Sequence, residues 1–140
     1  MKTAMPAGQR GFTLVELMIT VVVIAILSSL GYAAYTEQIA KSRRAAARAL
    51  VMDVMQHEER FFTENNSYTT DLTQMGYGAT LKTDRNTHSI SLAAGPSGAI
   101  ATSVQVTATA LLSDAKCTTL TLASNNAQGG TGSQSAVCWQ

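Results

Sequence analysis

Apolar residues crowd towards one end of the chain. Residues 12–36 read FTLVELMITVVVIAILSSLGYAAYT, and from Leu17 to Thr36 no position is charged. As a helix, such a run covers about 30 Å, one hydrocarbon core. After Thr36 the pattern changes. Leu50, Val54, His57 and Phe61 fall at helical spacing, with Val51, Met55 and Phe62 beside them, which predicts one face packed under a sheet. Ala45, Ala46, Ala47 and Ala49 favour helix, and Glu37 precedes Lys41 in the favourable i,i+4 order. Asn65-Asn66-Ser67 then breaks the helical pattern.

In the second half the period drops to two. Ile90 and Leu92 alternate with Ser89 and Ser91. Val104, Val106, Ala108 and Ala110 alternate with Gln105, Thr107 and Thr109, and Leu120 and Leu122 with Thr119 and Thr121. Gly95-Pro96-Ser97-Gly98 reads as a turn, residues 125–134 as a loop, and Val137-Cys138-Trp139 as a short last strand. Phe61, Phe62, Tyr68, Leu72 and Tyr77 are core anchors. The expected fold is α+β: one long helix on an antiparallel meander of 3–4 strands. The segments are 1–11, a short polar stretch; 12–36, the apolar helix; 37–62, its amphipathic half; and 63–140, a connecting loop with the strands.

Composition narrows the chemistry. The net charge of the 140 residues is +1, and 14% are charged, against roughly 25% in soluble domains. No overall electrostatic attraction to nucleic acid follows. Arg43, Arg44 and Arg48 read as a solvated helix face, and His57 as a packed or edge histidine. Cys117 and Cys138 are too few for a cysteine-only zinc site, and His57 and His88 lack ligand spacing to them. No metal site is expected. If this part of the chain leaves the cytoplasm, a disulfide is the natural reading, and two buried thiols are the alternative. There is no phosphate loop, no GxSxG and no histidine beside a nucleophile. Neither an enzyme nor a cofactor is expected.

A secretory signal cut near Ser29 or Gly31, or a plain membrane anchor, would explain the apolar run but not Glu16. A carboxylate there costs on the order of 2–3 kcal/mol even on lenient insertion scales. Gly11-Phe12-Thr13-Leu14-Val15-Glu16 resembles the class III leader of type IV prepilins. The resemblance implies that prepilin peptidase cuts between Gly11 and Phe12, that the leader 1–11 is lost, and that the new amine on Phe12 is methylated. Glu16 would then meet the Phe12 amine of a neighbouring subunit, since a buried carboxylate needs a counter-charge. Aromatic residues followed by Asn-Asn-Ser-Tyr and Asp-Leu (61–72), with the Cys-Trp near the end, are similar to PilE-like minor pilins and competence pilins.

The resemblance implies a structural subunit, of the minor class, in a pilus serving twitching motility, adhesion or DNA uptake. Its partners would be other pilin subunits, the peptidase, the inner-membrane assembly machinery and, as a monomer, the membrane itself. The protein would sit in the inner membrane with its C-terminal domain in the periplasm, and later in the extracellular filament. Lys41, Arg43, Arg44 and Arg48 outnumber Lys2 and Arg10 across the span, and that count favours the reverse orientation. The processing motif outweighs it, because the peptidase acts on the cytoplasmic face. Two alternatives share the leader. A DNA-binding competence pilin should show basic residues near the cysteines. Lys82, Arg85 and Lys116 lie in the region, but the stretch from Cys117 to Cys138 has none. A type II secretion pseudopilin with a calcium site would need acidic residues there, and none occurs.

Overall fold

The computed structural model describes residues 11–140, with residues 30, 31 and 33 described by backbone only. Most of the leader, with Lys2 and Arg10, lies outside the described residues. Contacts divide the chain into residues 1–38 and 39–140. The first helix, α1 (Leu14–Asn65), is shared by both units. Five strands follow: β1 (Leu81–Lys82), β2 (His88–Ala94), β3 (Val104–Ala110), β4 (Thr119–Ala123) and β5 (Gln128–Thr131). Single 3-10 turns occupy Leu72–Met75 and Ser135–Trp139.

In the first unit the helix is apolar on every side. Phe12, Leu14, Val15, Leu17, Met18 and Ile19 are exposed, as are their apolar successors to Leu27. Such a helix finds its partners outside its own chain. Its hydroxyls bond locally: Thr20 Oγ1 donates to the Leu17 carbonyl (2.9 Å) and Ser29 Oγ to that of Ile26 (2.8 Å). These bonds satisfy the hydroxyls within the helix itself.

In the second unit α1 has two faces. Ala47, Val51, Val54, Met55 and Glu58 form the buried stripe, while Leu50, His57, Phe61 and Phe62 flank it half-buried. The stripe is therefore rotated from the predicted one, and it carries a carboxylate. The helix runs past Phe62 to Asn65. It stops at Asn66, whose φ of 55° is one that asparagine tolerates and whose N–H bonds the Phe62 carbonyl at 2.8 Å.

The sheet is antiparallel in the order β1-β2-β3-β4-β5, a meander. The period-two reading of β2, β3 and β4 holds: Ile90, Val104, Val106, Ala108, Leu120 and Leu122 are buried. One row crosses all five strands as Leu81, Ile90, Ala108, Leu120 and Gly130.

Four expectations need correction. The sheet has five strands rather than 3–4. The glycine-rich stretch read as a loop supplies β5, and Val137-Cys138-Trp139 lies in a 3-10 turn instead of a strand. Glycine is needed in β5 because the tail lies on it. A Cβ on Gly130 would sit 2.9 Å from the Cys138 sulfur and 2.6 Å from the Thr119 carbonyl oxygen. Arg44 is buried rather than solvated, bound to Asp114 through Nε–Oδ2 (2.7 Å) and Nη2–Oδ1 (2.8 Å). A forked guanidinium matched to a carboxylate is the form in which a buried arginine is tolerated.

Candidate functional site

Among the described residues, three places stand out for their chemistry. The first is the start of α1. Thr13 precedes the helix, and its Oγ1 accepts the Glu16 N–H at 3.2 Å. Thr13-Leu14-Val15-Glu16 thus has the spacing of a capping box. The role of Thr13 was missed in the sequence, although a threonine three residues before a glutamate is the signal for it. Glu16 also lies in the first turn, where the helix dipole favours an anion. The cap accounts for a carboxylate at this end of the helix, but not for its standing among exposed apolar side chains. A Cβ placed on Gly11 would meet nothing within 4 Å among the described residues. The fold itself makes no demand for glycine there, so a requirement for it would come from whatever handles the Gly11–Phe12 bond. Phe12 is 80% exposed.

The second place is the disulfide. Cys117 and Cys138 are bonded, with their Cα atoms 5.4 Å apart and both side chains fully buried. Trp139 Nε1 donates to the Gly129 carbonyl at 2.8 Å, fixing the tail over β5. Arg48 reaches across from α1 to the main-chain oxygens of Cys138 and Gln140. The tail is therefore held by a covalent bond, an indole and an arginine.

The third is a groove of about 630 Å³ between α1 and the hairpin joining β1 to β2. Ala46, Ala49, Leu50 and Leu81 line it with apolar surface. Arg43 from the helix meets Lys82 and Arg85 from the hairpin around it, with Asp53 and Asp84 as the acidic members. Lys82 and Arg85 stand together in the sequence, but Arg43 lies too far along the chain to be read as their companion. Lys116 is not part of this lining. The hairpin is stiffened from within. Thr83 Oγ1 accepts the N–H groups of Thr87 (3.0 Å) and His88 (3.1 Å) and lies 2.8 Å from Thr87 Oγ1. His88 is buried, and desolvation lowers its pKa against the opposing charge of Asp114. His57 is half-buried, its Nδ1 3.4 Å from the Met75 carbonyl and its ring 5.0 Å from that of Tyr77.

Comparisons with known proteins bear on two stretches of the chain. Residues 33–121 match the family described as "Type IV minor pilin ComP, DNA uptake sequence receptor". Residues 6–32 match the prokaryotic N-terminal methylation motif. Fimbrial protein EcpC of Eikenella corrodens is 28% identical over 102 residues, covering 73% of this chain and 67% of that protein. The type IV major pilin protein PilA of Myxococcus xanthus (strain DK1622) is 31% identical over 86 residues, 61% of this chain and 39% of PilA.

Proposed function

The chain belongs to the type IV minor pilins, and from that membership we propose that it enters the pilus through residues 12–36 after a cut between Gly11 and Phe12. It is a structural pilus subunit; the proposal concerns how it is processed, where it sits and what it touches. As a prepilin it waits in the inner membrane with residues 39–140 on the periplasmic side. The peptidase removes the leader and the Phe12 amine is methylated. In the filament the Glu16 carboxylate pairs with the Phe12 amine of a neighbour. The carrying observation is the stretch of residues 12–36, apolar on every side with one carboxylate, Glu16, near its start. An uncompensated charge in such surroundings costs about 3–5 kcal/mol when its partner is removed, which makes the pair a register device.

The test is Glu16→Gln. It keeps size and removes charge, so membrane insertion and processing should continue while incorporation falls. The measurement is the amount of the protein in sheared pili relative to the membrane pool. Equal incorporation of wild type and variant rejects the pairing.

A second reading is favoured by the family description and by the groove: the domain also contacts DNA. Arg43, Lys82 and Arg85 would meet phosphates, and each lost phosphate contact should reduce the salt slope of binding by about 0.9. Duplex DNA is titrated onto the full chain in detergent micelles across salt concentrations up to about 0.15 M. Binding by the triple alanine variant equal to wild type would remove the groove from this role.

A further inference from the structure

The segment that follows α1 is fastened back onto it by four helix side chains, all of them titratable. Asp53 accepts the Tyr77 hydroxyl at 2.6 Å, and His57 lies 3.4 Å from the Met75 carbonyl. Glu59 accepts the Tyr68 hydroxyl at 3.0 Å, and Glu58 Oε2 accepts the Thr69 N–H at 3.2 Å. Asp53, His57 and Glu59 are at least partly exposed. Glu58 differs: it is 0% exposed, in line with Val51, Val54 and Met55 on the stripe facing the core. Its Oε1 has no hydrogen-bond partner among the described residues.

A carboxylate so placed holds its charge against one N–H and an oxygen with no donor, a poor exchange for water. The groups facing it make matters worse. Glu59 on its own helix is a like charge, and Tyr68 on the connecting segment offers its proton to Glu59 instead. Just past β4 the hydroxyl of Ser124, a neutral group, hydrogen-bonds Tyr68. We propose that Glu58 is a proton-operated latch: neutral, it lets residues 66–77 lie closed on α1, and ionised, it drives them off.

Electrostatics agree with the geometry. Burial pushes the Glu58 carboxyl up to about 7, the Thr69 N–H opposing and Glu59 adding to the rise. The folded value stands above the ordinary 4.5. The contribution to closure is therefore complete below 4.5, erodes as pH rises, and is gone once pH has passed through about 7. Loosening would uncover Tyr68 and Leu72, both of which belong to the core.

The experiment uses the full chain in detergent micelles. Carbon-13 shifts of the Glu58 carboxyl are followed with pH, alongside hydrogen-exchange protection factors of the Thr69 and Tyr77 amides, corrected for intrinsic exchange. Between about pH 5.5 and about pH 8, protection in wild type should fall by roughly tenfold or more. In Glu58→Gln it should stay level, and in Glu59→Gln the fall should persist. Titration of Glu58 near its ordinary value, or the same profile in wild type and Glu58→Gln, overturns the latch. If Glu58→Gln does not fold, wild type alone decides: protection must fall as pH rises towards the carboxyl midpoint and level off above it, and a fall that begins only above that midpoint overturns the latch.

Discussion

Residues 12–36 and residues 39–140 place charge among apolar groups in opposite ways. In the first, Glu16 stands on a helix whose large apolar side chains are exposed, with no core of its own. In the second, Arg44 and Glu58 are buried inside a core that the same stretch of chain builds. Arg44 is matched within the chain by Asp114. The difference teaches where to look for a partner. A charge that a fold has buried is answered at that place, by a counter-charge or by a proton. For a charge on an unburied apolar helix, as proposed for Glu16, the place to look is another molecule.

The largest effect should come from preventing the first region from meeting its outside partners. Gly11→Leu places a branched side chain beside the bond proposed to be cut, and no atom of the described residues lies within 4 Å of a Cβ there. Folding of residues 39–140 should be untouched, while the mature form beginning at Phe12 disappears. Intact mass of the membrane fraction reads this directly, and normal maturation of Gly11→Leu would break the comparison at its first term.

The inside partner is tested next. Arg44→Ala leaves the Asp114 carboxylate largely buried and unmatched, which should cost about 3–5 kcal/mol in thermal or denaturant unfolding. Processing should be unaffected by it. A loss under about 1 kcal/mol, the size of an exposed pair, would mean that the ion pair is not buried in solution.

The disulfide should matter somewhat less. Cys117→Ser with Cys138→Ser releases the loop closed by a sequence separation of 21 and should cost roughly 3 kcal/mol. The tail would keep its Trp139 and Arg48 contacts, so the double variant should still fold at low temperature. Urea unfolding of the oxidised wild type beside the double variant measures the difference.

The smallest effect is in acid. Hydrogen bonding from Arg44 holds the Asp114 carboxyl below its ordinary 3.8, with burial opposing. The stability so gained is present above 3.8 and is lost as pH falls through the depressed value. Unfolding free energy of wild type should drop in that acid window, and the drop should be smaller in Arg44→Ala, where only the Lys116 and Cys117 N–H groups still favour the carboxylate.

Periodicity determined much of this protein without help. A run of uncharged residues from Leu17 to Thr36 dictates an apolar helix, and strict alternation dictates the faces of β2, β3 and β4, because side-chain period is a local property of the backbone. Gly11, Phe12 and Glu16 carry their proposed roles for the same reason: those roles are read from spacing along one short stretch. Tertiary structure decided the rest. The glycine-rich strand β5 was opaque, since residues 128–131 read as loop until the Cys138 sulfur is seen to occupy the space a Cβ on Gly130 would need. Arg44 looked like its solvated neighbours until Asp114 arrived from seventy positions away. Arg43 gained its place beside Lys82 and Arg85 only when the hairpin came to lie along α1. Glu58 was an ordinary helix glutamate until the stripe turned it inwards. In each case the residue's environment is made by distant segments, and no local pattern encodes the distance over which a charge or a sulfur will find its partner.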